Sequence, residues 1–226
     1  MNLIYSKRKE LKTVLLCTFI YLFIFLILEK ISFNKYLYTE TFIDEYIPFL
    51  EIFVIPYLLW FPYIIFGFIF FILYDTKGFY RTCFYLFGGM YVCLFIYMIF
   101  PNAQGLRVSL DANSFLQNLL SFVYNVDTST NVCPSIHVYN SIMMYVSLMK
   151  NELFKSNKFI VNLTGILTIS ICLSTIFTKQ HAFIDGVFSI PLCLIFYQLY
   201  KNKEYFKLTY NILKYKAKNK LKISTN

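Results

Sequence analysis

Long uncharged runs alternate with short charged stretches along this 226-residue chain. Thr13–Leu28 is uncharged for 16 residues, Ile52–Tyr74 for 23 and Thr82–Phe100 for 19. Val138–Met149 is apolar but short, and reaches span length only if its helix begins near Pro134. Phe159–Thr178 and Ala182–Tyr200 complete the set, the last carrying Asp185. A bilayer core needs roughly 20 apolar residues per helix. The pattern predicts an all-α integral membrane bundle of about six transmembrane helices. They cover residues 13–28, 52–74, 82–100, 134–149, 159–178 and 182–200 of a single membrane domain, with a basic tail at 201–226. Pro56 and Pro62 predict a kink in the second span. Glu29 and Lys30 follow the first run where a signal peptide would carry a small-residue cleavage site, so that run reads as an uncleaved anchor.

The positive residues give the bundle a direction. The N-terminal segment, the 75–81 and 150–158 loops and the C-terminal tail hold 17 Lys and Arg; the alternating segments hold only Lys30, Lys35, Arg107 and Lys179. Positive loops favour the cytoplasm. Both termini are expected inside, with 29–51, 101–134 and 178–182 facing outward.

Composition agrees. The chain is 58% hydrophobic and 15% charged, against about 25% charged in soluble domains. Disorder and an ordinary soluble domain are both excluded. The net charge of +9 sits between apolar runs and in the tails, which suits an anionic leaflet rather than nucleic acid. Six cysteines (17, 83, 93, 133, 172 and 193) lack metal-ligand spacing and read as small buried hydrophobes rather than disulfides. Abundant Lys, Asn, Ile and Tyr fit an AT-rich bacterial genome, hence a bacterial plasma membrane.

The candidate chemistry sits on the outer side. Only His137 and His181 are histidines, and both fall at outer span ends. In Cys133-Pro134-Ser135-Ile136-His137, a proline at the first helical position would leave the amides of Ser135, Ile136 and His137 unpaired. Such a helix N-terminus binds phosphate; the alternative is a plain capped helix start. His181 and Asp185 are spaced i, i+4, on one helical face. A carboxylate on one imidazole nitrogen fixes the tautomer, and the other nitrogen can then attack or take a proton. The alternative is a structural His–Asp pair. Arg107 is the only outer arginine, and its forked donors suit phosphate or a lipid headgroup. No carboxylate cluster for a metal is evident beside these residues, and no cofactor is expected.

These segments resemble the type 2 phosphatidic acid phosphatase superfamily. Pro134-Ser135-Ile136-His137 is similar to its Pro-Ser-x-His motif, Ser174 through Asp185 to its last motif, and Arg107 stands at the arginine of the first. Residues 100–107, 131–137 and 174–181 look most like the bacterial branch related to inositol phosphorylceramide synthases. The resemblance implies a metal-independent phosphoryl transfer with His181 as nucleophile, Asp185 orienting it and His137 protonating the leaving alkoxide. Arg107 and the Ser135 region would hold the phosphate oxygens. Phe100, Val108, Ile136 and Thr175 depart from the motifs, and two phosphate-binding cations are absent from their usual places. Lys179 and Gln104 are the nearby residues expected to compensate.

The expected function is therefore a lipid phosphate phosphatase acting through a phosphohistidine on the outer face, with a lipid phosphate and membrane lipids as its partners. Transfer to an alcohol is the alternative within that class. A transporter or non-catalytic membrane protein is the alternative outside it, although a transporter should show a two-half repeat or charges deep in several spans, and neither is present. The motifs leave open phosphatidic acid, phosphatidylglycerophosphate, polyprenyl diphosphate and sphingolipid phosphates. They do not address oligomeric state.

Overall fold

The structure, a computed structural model, describes residues 7–111 and 114–202. Most of the basic tail expected at 201–226 lies outside the described residues. Five described helices are long and apolar enough to cross a membrane. They are α1 (Arg8–Lys30), α3 (Val54–Tyr74, led in by a 3₁₀ turn at Glu51–Phe53), α4 (Thr76–Ile99), α8 (Lys158–Phe177) and α9 (Phe183–Asn202). The short or amphipathic helices are α2 (Phe42–Tyr46), α5 (Phe115–Val126), α6 (Ile136–Leu148) and α7 (Glu152–Ser156). The chain is an all-α membrane bundle.

Helix ends fall where side chains satisfy the free amides. Asp75 accepts from the Gly78 amide at 2.8 Å and starts α4 six residues ahead of the uncharged run. Asn157 likewise accepts from Ile160 at 3.1 Å and starts α8. Ser114 does the same for α5, in a stretch expected only as an outer connection.

The fourth expected span is α6, and it has 13 residues. At 1.5 Å per residue it rises only about 20 Å. It stands in the centre of the bundle, packed against α3, α4 and α8. Tyr139, Met143, Met144 and Leu148 are fully enclosed among Phe71, Phe79, Tyr85 and Leu86. From α9, Phe196 lies against Tyr139, with ring centroids 6.0 Å apart. Surrounded by protein, α6 can carry Asn140, Ser141 and Ser147; Ser141 returns a hydrogen bond to the His137 carbonyl at 2.6 Å. The outer helices instead leave Leu15, Phe19, Ile65, Ile166 and Ile195 exposed. An apolar surface this extensive belongs in lipid, not water.

One end of the bundle gathers the three segments expected to share a face. Leu37–Tyr38 (β1) pairs in parallel with Asn102–Ala103 (β2), and Ala103 bridges to Thr130. Leu50 donates to the Phe177 carbonyl at 3.0 Å, and Tyr124 Oη to that of Thr178 at 2.7 Å. At the opposite end Lys7 reaches Thr76, and Asn151 reaches Asp75 at 2.9 Å.

The close approach of α4 to α6 depends on Gly89, where an added Cβ would overlap the buried Tyr139 ring. Tyr139 cannot swing away without breaking its 2.6 Å bond to the Tyr85 carbonyl. Gly89→Ala is expected to destabilise the bundle by about 1–3 kcal/mol, read as a lowered Tm in detergent, whereas Leu15→Ala on the lipid-facing side of α1 should leave the Tm nearly unchanged.

Candidate functional site

The α6 helix begins two positions later than expected. Ser135 occupies the cap: its hydroxyl accepts from the Val138 amide at 3.4 Å, and helical geometry begins at Ile136. Pro134 therefore precedes the cap rather than filling the first helical position. The Ser135 amide is also engaged, donating to the Asp185 carbonyl at 3.0 Å. Ser189, one turn further along α9, donates to the carbonyls of both Ser135 and Asp185 at 2.9 Å. These three bonds lock the start of α6 to the start of α9.

That junction sets both histidines. His181 lies in the turn before α9, and its Nδ1 is 3.2 Å from Asp185 Oδ2. The same oxygen accepts from the Ala182 amide at 2.9 Å. His137 follows in the first turn of α6, its ring centroid 6.0 Å from that of His181. Tyr57 and Trp60 of α3 each stand 4.6 Å from the His137 ring, centroid to centroid. Tyr57 Oη in turn donates to Asp127 Oδ2 at 2.5 Å. His137, His181, Tyr57, Trp60 and Asp127 all line one cavity of about 670 Å³.

The other expected phosphate ligands are engaged elsewhere, and none lines that cavity. Arg107 donates to the carbonyls of Tyr124 (2.7 Å) and Asp127, with its guanidinium 4.6 Å from the Tyr124 ring centre. Lys179 donates to the carbonyls of Asp44 (2.9 Å) and Ile47 (2.6 Å). Burial holds both cations below their ordinary pKa values. Gln104 donates to the carbonyls of Lys179 (3.0 Å) and Gln180 (3.3 Å) and accepts from the Leu106 amide at 2.5 Å. The Ser135 hydroxyl is the helix cap. Two cations and two polar side chains thus organise the backbone around the histidines.

Besides the two histidines, the polar groups that do reach the cavity are amides, hydroxyls and an indole, with one carboxylate, Asp127. Asn140 Oδ1, Asn131 Oδ1, Gln180 Oε1 and Trp60 Nε1 are buried without hydrogen-bond partners among the described residues, and all four residues line it. Sequence reasoning passed over them. Asn140 had a signal, standing one helical turn after His137 on the same face. Trp60 is the only tryptophan. Asp127 and Tyr57 had none, because their meeting depends on how α5 lies against α3. Cys133, beside the junction, has its thiol pushed up to about 12 by burial. No group of three metal-ligating side chains forms among the described residues.

Comparison with known proteins gives no match to a family model, a curated protein or a solved structure.

Gln104 makes two of the bonds that shape the 178–181 turn. Gln104→Leu leaves buried carbonyls unpaired, at a cost of about 1–3 kcal/mol. The expected result is faster amide hydrogen exchange at residues 178–182, with α4 protection unchanged.

Proposed function

We propose that this chain is a lipid phosphate phosphatase that works through a phosphohistidine at His181. The observation that carries the reading is the placement of His137 and His181 together on one cavity wall, with Asp185 on the far nitrogen of His181. With His181 Nδ1–H donating to Asp185, Nε2 holds the lone pair. Reacting atoms meet at about 3–3.5 Å, and a proton donor must come within about 2.6–3.2 Å. Rings 6.0 Å apart can serve a single phosphoryl group from two sides.

The steps balance. His181 Nε2 attacks phosphorus and the phosphorus–oxygen ester bond breaks. Protonated His137 gives its proton to the leaving alkoxide. Neutral His137 then takes a proton from water as that water attacks the phosphohistidine, releasing phosphate and restoring both rings. Asp185 stabilises the positive ring formed in between. The resemblance of the three motifs to the phosphatidic acid phosphatase superfamily supports the same assignment.

Transfer to an alcohol is favoured by one observation, the unpartnered amide oxygens of Asn140 and Gln180 beside the histidines, because each can accept a hydrogen bond from an incoming hydroxyl.

The deciding experiment uses a lipid labelled in its phosphate and a rapid alkaline quench. Wild type should retain acid-labile, base-stable label, and His181→Ala none. Asp185→Asn should lower kcat on the order of 10³–10⁴-fold by releasing the tautomer. Label retained by His181→Ala would overturn the nucleophile assignment. Adding glycerol tests transfer through the appearance of glycerol phosphate.

The site belongs to the outer face with both termini cytoplasmic, on the strength of the positive-residue distribution. In a variant freed of its native cysteines, Ser109→Cys should react with an impermeant thiol reagent on intact cells, and Ser156→Cys should not; both positions are exposed. The reverse pattern would put the site on the cytoplasmic side.

A further inference from the structure

The two histidines meet carboxylates in different ways. Asp185 touches its histidine, with Oδ2 3.2 Å from His181 Nδ1. Among the described residues no carboxylate forms an ion pair with His137. The His137 ring lies against those of Tyr57 and Trp60, each 4.6 Å away centroid to centroid. Burial in such a wall disfavours the charged form of an imidazole. Proton delivery to a leaving alkoxide nevertheless needs a charged His137, so the wall must also hold a group that favours that charge.

Asp127 is the carboxylate of the cavity wall. It ends α5, and its backbone is held on both sides: the amide donates to the Val123 carbonyl at 2.9 Å, and the carbonyl accepts from Arg107. Its side chain accepts from Tyr57 Oη at 2.5 Å. Tyr57 is buried, so one enclosed phenol bears on the carboxylate with its hydroxyl and on His137 with its ring. The charges of Asp127 and His181 both reach the His137 ring. The cavity also meets Tyr21 of α1 and Tyr97 of α4, phenols that are uncharged near neutral pH. Glu29 of α1 is bonded to Thr128 and Asn131, Asp185 to His181 and Ala182, and Arg107 and Lys179 to carbonyls. The charge on α8, Lys158, stands at its opposite end. We infer that Asp127, tethered by Tyr57, is the counter-ion of His137, a positioning residue that holds a proton on that ring without touching the substrate. A carboxylate held off by a phenol favours the charge without taking the N–H that the leaving oxygen needs. The use made of the proton rests on the proposed function; the pairing itself rests on the fold.

The first measurement needs no turnover. With only two histidines in the chain, purified full-length protein carrying isotopically labelled histidine shows each ring separately by NMR, and the signals lost in His137→Gln are those of His137. At the pH where His137 of the wild type is half protonated, Asp127→Asn should leave about one ring in ten protonated, a tenfold loss of proton affinity. Asparagine still accepts from Tyr57, so the tether is kept. Tyr57→Phe keeps the ring, releases the carboxylate and should cost about threefold; it decides the matter where Asp127→Asn does not fold. Asp111→Asn makes the same change of charge on an exposed outer residue and should move nothing, because solvent and salt screen it.

The second measurement compares leaving groups in single turnovers. Formation of the phosphohistidine from octyl phosphate should slow about tenfold or more in Asp127→Asn, and from para-nitrophenyl phosphate by less than about twofold, because the nitrophenolate leaves without a proton. A merely structural lesion would slow both alike. Unchanged protonation of His137 in Asp127→Asn, or equal slowing of the two esters, would overturn the inference. Loss of His137 protonation in a protein whose wild type forms no phosphohistidine from either ester would reject the proposed function and retain Asp127 as the counter-ion.

Discussion

The site hangs on the bond between the Ser135 amide and the Asp185 carbonyl, doubled by Ser189, which donates to both carbonyls. In an apolar layer an unpaired amide or carbonyl is costly. The Ser135 amide, ahead of the first turn of α6, finds its acceptor in a carbonyl of the first turn of α9. Because His137 follows Ser135 by two residues and His181 precedes Asp185 by four, this pairing fixes the spacing of the two rings. Their placement is a by-product of the pairing that ties the start of α6 to the start of α9.

The positively charged residues near the rings follow the same logic. Arg107 and Lys179 look like ligands for an anion when read along the chain. In three dimensions each meets backbone carbonyls that no helix supplies with donors, in connections that fold back into the top of the bundle. Lys179 adopts a left-handed backbone (φ 56°), a conformation costly for a side chain with a Cβ. Gln104, which holds its carbonyl, and Asp44 and Ile47, which hold its ammonium, keep it there. The result is a rigid frame of charged residues around a cavity whose own polar lining is mostly amide, indole and imidazole.

Much of this was legible in the sequence because spans and i, i+4 pairs are local. The uncharged runs mark the five long helices, and the His181–Asp185 spacing points to that pair, although the two do not share a helical face, because His181 stands in the turn before α9. What escaped was non-local. The short 138–149 run gains no span length from Pro134, because Ser135 caps α6 and the helix begins at Ile136, and its tolerance of Asn140 and Ser147 comes from enclosure by α3, α4, α8 and α9. The amphipathic α5, hidden in a stretch read as a connection, brings Asp127 to Tyr57. No spacing rule links residues 70 positions apart. Nor could the residue types say that Gln104 and Lys179 would bond to protein, since the same donors serve an anion or a carbonyl.

The first helix leans one way. It packs along α4, where Tyr91 donates to the Cys17 carbonyl at 3.0 Å, and is tied at its upper end through Glu29 to Asn131 at 2.7 Å. It makes no comparably close packing with α3, and the cavity lies in the gap. A molecule passing between those two helices never leaves the hydrocarbon layer. Its encounter with the histidines is diffusion in a plane, and occupancy is governed by its mole fraction among the surrounding lipids rather than by its molarity in water. Inert lipid or detergent then competes simply by dilution, without binding to anything.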